Sequence, residues 1–134
     1  MTRTKLIIYT DGGARGNPGP AAIGAVLKSG GEIVAEISEY IGETTNNQAE
    51  YRAVIAAIEK AKQFGAEDLE FFLDSELVVK QLNREYKVRD KDLAPLFMKI
   101  YNTSMGFKKI SFKHVRREFN AEADALVNKA LDRK

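Results

Sequence analysis

Four carboxylates in this chain sit where packing alone would not ask for one. Asp11 follows the apolar run "KLIIY" by one residue, and Asp74 follows "LEFFL" directly. Glu50 lies beside Ala53 and Ala57, and Asp124 beside Val127 and Leu131, at the spacing of single helix faces. A carboxylate at the mouth of a buried strand needs water, a hydrogen-bond donor, a cation or a chemical role. Each also has an ordinary structural reading. Asp74 could cap a helix beginning near Ser75. Glu50 and Asp124 could complement helix dipoles from first turns. Asp11 could start an Asx turn before Gly12-Gly13. The four together read differently, because like charges within a few ångströms are unfavourable unless a cation joins them. The chain has no cysteine, and His114 is its only histidine. A carboxylate cluster of that kind suits a hard, oxygen-liganded ion such as Mg²⁺ or Mn²⁺.

Bringing these residues together requires particular elements. Lys5 to Thr10 reads as a strand, and "AAIGAVLKSGGEIVAEISEY" as a hairpin turning at Gly30-Gly31. Ala49, Ala53, Ala57, Ala61 and Phe64 mark a helix from about Asn46 to Phe64, ended by Gly65. "LEFFL" is a buried strand, and "SELVVKQL" opens a helix. Another helix spans about Asp92 to Met105, with Pro95 in its first turn. "KKISFKHV" is a strand, and Asn120 is expected to cap a last helix with the stripe Ala123, Val127, Ala130 and Leu131. The order β-β-β-α-β-α-α-β-α, with right-handed crossovers, is satisfied by a sheet ordered 3-2-1-4-5. Strands one and four are then parallel neighbours whose carboxyl ends meet at a switch point, where open α/β sheets bind ligands. All four carboxylates converge at that end.

Length and composition exclude several classes. The 134 residues are 44% hydrophobic and fit one domain, residues 1–134, with a single core. Without cysteine there is no disulfide, thiolate metal site or thiol nucleophile. No run approaches a membrane span of about 20 apolar residues, and "LIIY" is too short for a signal segment. A soluble, cytoplasmic protein is the expectation. The net charge is only +2, yet Arg84 to Arg117 holds ten basic and three acidic residues. That imbalance suits a polyanion along one region and cations in the other, although uneven surface charge explains it as well. The glycine-rich stretch "TDGGARGNPGP" fits neither G-x-G-x-x-G nor G-x-x-x-x-G-K-[ST], and no helix follows it. It reads as a rigid turn bringing backbone close to a large ligand.

Four blocks of the sequence then resemble one family. "TDGGARGNPGPAAIGAVL" with Asp11, "TTNNQAEYRAVIAAI" with Glu50, "LDSELVVKQLN" with Asp74 and "REFNAEADALVNKA" with Asp124 are similar to the four signature blocks of type 1 ribonuclease H. The similarity runs from about Leu6 to Ala130. It implies a ribonuclease H-like α/β fold, a five-stranded mixed sheet flanked by helices. It implies an endonuclease that hydrolyses the RNA strand of RNA–DNA hybrids, leaving 5′-phosphate and 3′-hydroxyl ends. Asp11, Glu50, Asp74 and Asp124 would be both the catalytic residues and the ligands of two Mg²⁺ ions, with Mn²⁺ as the alternative. Asn17, Asn46 and Asn47 match positions that sense the minor groove, and Thr45 one that holds a DNA phosphate. As turn residues or helix caps, the same side chains have ordinary roles too. No membrane or protein partner is implied, and a monomer is expected.

The chain departs from the family's familiar bacterial pattern in two places. "NREYKVRDKDLAPLF" is too short for the basic protrusion some members carry, so hybrid affinity is either lower or carried by Arg84, Lys87, Arg89 and Lys91. "VRREFNAEAD" is shorter than the usual glycine-rich loop and holds no histidine. His114 lies earlier, in the preceding strand. Period-two alternation puts it with Ile110 and Phe112, as a packed aromatic outside the reaction. Two other readings are a hybrid-binding module without catalysis and a nuclease of the resolvase or exonuclease kind. The intact carboxylates argue against the first, and the TTNN and GNPGP blocks against the second.

Overall fold

Hydrophobic periodicity in this chain resolves into strands flanked by helices, and a computed structural model describes residues 5–134. The strands are β1 (Lys5–Ala14), β2 (Gly19–Ser29), β3 (Glu32–Thr44), β4 (Asp68–Leu73) and β5 (Lys109–His114). The helices are α1 (Asn46–Gln63), α2 (Glu76–Leu82), α3 (Ala94–Ser104) and α4 (Ala121–Arg133), with a 3₁₀ turn at Arg117–Asn120. The sheet order is β3-β2-β1-β4-β5, the order expected from the connection rules. β1 pairs antiparallel with β2 and parallel with β4, and β4 pairs parallel with β5. Gly30 and Gly31, both at positive φ, close the two-residue turn between β2 and β3.

The core lies on both faces of the sheet. Leu6, Ile8, Phe71 and Leu73 meet Tyr51, Val54 and Ile58 of α1 on one side. Ala22 meets Val127, Ala130 and Leu131 of α4 on the other. Tyr51 donates a buried hydrogen bond of 2.7 Å to Gln81, tying α1 to α2. No helix among the described residues is long and apolar enough to cross a membrane.

Several local expectations change. β1 does not stop at Thr10. Its parallel ladder with β4 ends at Tyr9, but its pairing with β2 continues to Ala14 opposite Ala21. Asp11, Gly12 and Gly13 are therefore strand residues, and the turn shrinks to residues 15–18. Phe64 is not part of the buried stripe of α1; it caps the helix and is 40% exposed. Tyr51, Val54 and Ile58 fill the core there instead. Asn120 makes no side-chain cap on α4. Nor is His114 packed: it ends β5 beyond the cover that buries Phe112, and it is exposed.

Candidate active site

Asp11 stands two residues past the point where β1 leaves β4, so nothing hydrogen-bonded flanks it on that side. Asp74 stands one residue past the end of β4. The two carboxylates therefore share the gap at the carboxyl end of the two parallel strands. Asp74 is free to face it because Ser75, not Asp74, caps α2 through the Val78 N–H. α1 is likewise capped by Thr45, whose hydroxyl accepts from the Gln48 N–H at 3.2 Å. Neither Asn46 nor Asn47 serves as its cap.

Two glycines let the helices come close enough to contribute. A Cβ on Gly12 would lie 2.3 Å from the backbone of Ala49 and 2.5 Å from the Glu50 nitrogen. The first turns of α1 thus press onto β1, beside Asp11. A Cβ on Gly24 would lie 2.4 Å from the Ala123 carbonyl oxygen. Gly24 is the residue paired across the ladder with Asp11, so α4 rests on β2 at that level and delivers Asp124 to Asp11. An isolated glycine inside a strand signals close backbone approach, and Gly24 in "IGAV" carries that signal.

Asp11, Glu50 and Asp74 each offer a carboxylate oxygen, and these oxygens lie within 4.8 Å of one another. Asp124 stands outside that tight group but is near enough to Asp11 to act on its carboxyl. Burial pushes the Asp11 carboxyl up to about 8, helped by the charge of Asp74 and the neighbouring Asp124; the Gly12 N–H opposes this. Glu50 is also raised well above the ordinary range, by burial first and then by Asp11 and Asp74; the Gly12 N–H and, after it, Arg117 oppose this. Its Oε1 is enclosed and has no hydrogen-bond partner among the described residues. Unpartnered buried acceptors are rare and ask for an explanation. These three carboxylates could hold a metal ion, and the chemistry of the donor set fits a hard divalent cation.

Supporting contacts orient the acids. Asn120 is buried, and its amide donates to the Thr10 carbonyl at 2.9 Å and to Asp74 Oδ2 at 3.0 Å. It thereby ties the start of α4 to β1 and fixes one oxygen of Asp74. Asn128, one turn beyond Asp124, donates to Asp124 Oδ2 at 3.4 Å and accepts from Arg15 at 3.3 Å. Reading Asn120 as a cap concealed its orienting contact; a buried asparagine must find partners, but the sequence does not say which. Arg117, which faces Glu50 electrostatically, was legible only as one end of a basic stretch.

The polar loop residues form a linked edge beside the acids. Asn46 Oδ1 accepts from the Ala14 N–H at 2.8 Å, and Asn17 Oδ1 accepts from the Asn46 N–H at 3.0 Å. Each carbonyl oxygen is thus engaged, which turns each amide NH₂ away from those bonds. Asn47 is half-buried in the first turn of α1, beside these two.

The chain is similar to known proteins along nearly its whole length. The reverse transcriptase-like family matches residues 9–130. Ribonuclease HI of Halobacterium salinarum is 52% identical over 125 residues, covering 92% of this chain and 63% of that protein. A crystal structure of RNase H1 from the same organism has a TM-score of 0.94 at 50% identity, covering 97% of this chain and 99% of that one. A bifunctional protein of Mycobacterium tuberculosis is 41% identical over 96% of this chain, which spans only 36% of it. The chain therefore spans less than two thirds of the length of these curated relatives. Ribonuclease H of Prosthecochloris aestuarii is 33% identical, covering 96% of this chain and 97% of that protein. LC11-RNase H1, isolated from compost, was solved in complex with an RNA/DNA hybrid; it has a TM-score of 0.91 at 48% identity, covering 96% of this chain and 97% of that one. With the fold, the four blocks and these matches in agreement, the chain belongs to the type 1 ribonuclease H family.

Proposed function

We propose that this chain is an endoribonuclease that hydrolyses the RNA strand of RNA–DNA hybrids, using two divalent ions and leaving 5′-phosphate and 3′-hydroxyl ends. The observation that carries the reading is the approach of Asp11, Glu50 and Asp74 to within 4.8 Å at the switch point of the sheet. A hybrid bound to LC11-RNase H1, a relative that matches 96% of this chain, supports the substrate class.

Asp11, Glu50, Asp74 and Asp124 would hold the ions, with Mg²⁺ favoured and Mn²⁺ acceptable to the same oxygen donors. When bound, paired divalent ions neutralise charge on the phosphate under attack and supply an activated water. The chain's own residues supply the rest. Asp11 feels both Asp74 and Asp124, so it would be among the residues that hold the ions. Asn120 restrains Asp74, and Asn128 restrains Asp124, so neither carboxylate must be reoriented when the substrate arrives.

Substrate discrimination would fall to the polar edge. The free NH₂ groups of Asn17 and Asn46 can donate to 2′-hydroxyl oxygens or minor-groove acceptors. Asn47 adds a third amide on the same edge. The Thr45 oxygen accepts within the helix cap, which leaves its O–H to donate to a backbone phosphate. The test is cleavage of a labelled RNA–DNA hybrid with and without Mg²⁺. RNA-strand products bearing 5′-phosphates, formed only with the ion, are expected. An intact hybrid in the presence of Mg²⁺ and Mn²⁺ would overturn the reading.

A further inference from the structure

The segment after α2 holds a feature that catalysis at the carboxylates does not use. Arg84 has a φ of +62°, the one non-glycine residue among those described in the left-handed region. Glycine or asparagine is usual where a helix ends this way. A bulky side chain kept in a strained backbone is a starting point for a functional hypothesis. The Arg84 side chain has a defined contact. Its guanidinium lies 5.5 Å from the centre of the Tyr101 ring. On its two sides open two adjoining clefts that share Arg84 and Phe97 as their partition. One, of about 300 Å³, is bounded by Tyr101, Met105 and Ile110. The other, of about 420 Å³, is bounded by Tyr86, Lys87 and Met98.

We propose that these paired clefts bind unpaired nucleotides, one base on each side of Arg84. Tyr86 is 49% exposed and Tyr101 36%, and Tyr101 also stacks on Phe97 at 6.4 Å between ring centres. Both rings are covered by a cation, Lys80 over Tyr86 at 5.2 Å and Arg84 over Tyr101. Such a cation marks a ring face that accepts a charged or π partner and can swing to a phosphate when a base takes its place. The charge fits a polyanion. Lys80, Arg84, Lys87, Arg89 and Lys91 stand against Glu85 and Asp90 in the same stretch. Flat aromatic faces interleaved with basic side chains suit single-stranded nucleic acid, since every base has a π face and every linkage a phosphate. An apolar peptide would use the apolar walls but would leave Lys87, Arg89 and Lys91 unanswered, whereas Lys80 already has Glu76 at 3.7 Å. The clefts lie one short helix from Asp74, because α2 spans about 10 Å at 1.5 Å per residue. The inference rests on the hybrid-cleavage reading in one respect only: it gives the unpaired flank of the same substrate a place on the protein.

The experiment titrates the full chain, in EDTA, against a fluorescein-labelled oligodeoxythymidylate, following anisotropy and tyrosine fluorescence. Saturable binding with tyrosine quenching is expected. Tyr101→Ala should weaken it about tenfold, as loss of one stacked base does, while Tyr101→Phe retains it. Arg84→Gly should also weaken binding and reduce the salt slope by about 0.7 for one lost phosphate contact. Its melting temperature should stay level or rise, since glycine relieves the strained backbone. A Tyr101→Ala slope equal to the parent's would separate stacking from charge. Absence of saturable binding, or affinities of Tyr101→Ala and Arg84→Gly matching the parent's, would overturn the site. A chain that binds the oligonucleotide but leaves hybrids intact would overturn the cleavage reading and not this one.

Discussion

Asp74 and Glu70 lie four residues apart, one within β4 and one just past its end, yet their surroundings are opposite. Glu70 accepts from Lys113 at 2.6 Å and lies 3.8 Å from Lys5. The hydrogen bond from Lys113 holds its carboxyl below the ordinary range. At the end of the same strands, Asp11 and Glu50 face other acids and are pushed up. An acid satisfied by neighbouring lysines has its charge already answered. Acids turned on one another in a partly enclosed gap are stable only as neutral groups or around a cation. The two regions thus separate a carboxylate paired with lysines from carboxylates that face one another, although Glu70 and Asp74 lie only four residues apart.

The sharpest break in that comparison comes from removing charge. Asp11→Asn or Asp74→Asn should reduce Mg²⁺-dependent hybrid cleavage to background, because on the proposed mechanism fewer charges remain to hold the ions. The same substitutions should raise the melting temperature in EDTA by relieving like-charge repulsion. Near-parental cleavage by either variant would remove that carboxylate from the proposed site. Gly12→Ala tests the packing instead. A Cβ 2.3 Å from backbone cannot be absorbed by a rotamer change, so a loss of about 3 kcal/mol or more is expected in urea unfolding. Tight packing of α1 against β1 is refuted if the variant stays within 1 kcal/mol of the parent, roughly the effect of a neutral hydrogen bond.

A pH titration sharpens the contrast through its sign. In the unfolded chain Asp11 titrates near 4, while in the fold it is pushed up to about 8. The folded state therefore binds the proton more tightly. Its contribution to stability is fully present below about pH 4 and is lost as pH rises through about 8. Glu50 acts in the same direction. Glu70 acts in reverse: lowered in the fold, it adds stability above its unfolded value and loses it on acidification. In EDTA the melting temperature should therefore decline from pH 5 to pH 8, and saturating Mg²⁺ should flatten the decline by stabilising the ionised acids. A metal-free curve that rises across this range would show that the cluster does not carry the penalty assigned to it.

Much of this site was legible in the residues, for physical reasons. The observed strand order is one that the alternation of elements and the handedness of crossovers allow, and that order makes Asp11 and Asp74 neighbours. Helical periodicity puts Glu50 and Asp124 on packed faces. What stayed hidden depends on distances between elements remote in sequence. Asn120 looks like a cap until its amide is seen 3.0 Å from Asp74, 46 residues away. Strand residues 11 to 14 look like a loop because their glycines have low strand propensity, but β2 supplies their partners. His114 has the right alternation for burial, yet the cover over Phe112 does not reach it, and alternation cannot state where cover ends.

The smallest effect is expected on the satisfied side of the comparison. Glu70→Gln removes the charge but keeps a side-chain oxygen that Lys113 can still approach. What disappears is the attraction to two ammonium groups that are about half exposed, 55% for Lys113 and 49% for Lys5. Exposed pairs of this kind contribute roughly 0.2–1 kcal/mol, since water screens them and two flexible side chains must be held in place. A loss in that range is expected from urea unfolding at pH 7 and low salt. It should shrink in about 1 M salt, where the screening length falls to about 3 Å. Hybrid cleavage should match the parent, because Glu70 lies four residues from Asp74 along a strand and its partners are lysines, not the site. A loss above about 2 kcal/mol would exceed what an exposed pair supplies and would make Glu70 part of the buried framework. A tenfold drop in kcat/KM at unchanged stability would be more consequential, since it would join the two regions that their opposite titration keeps apart.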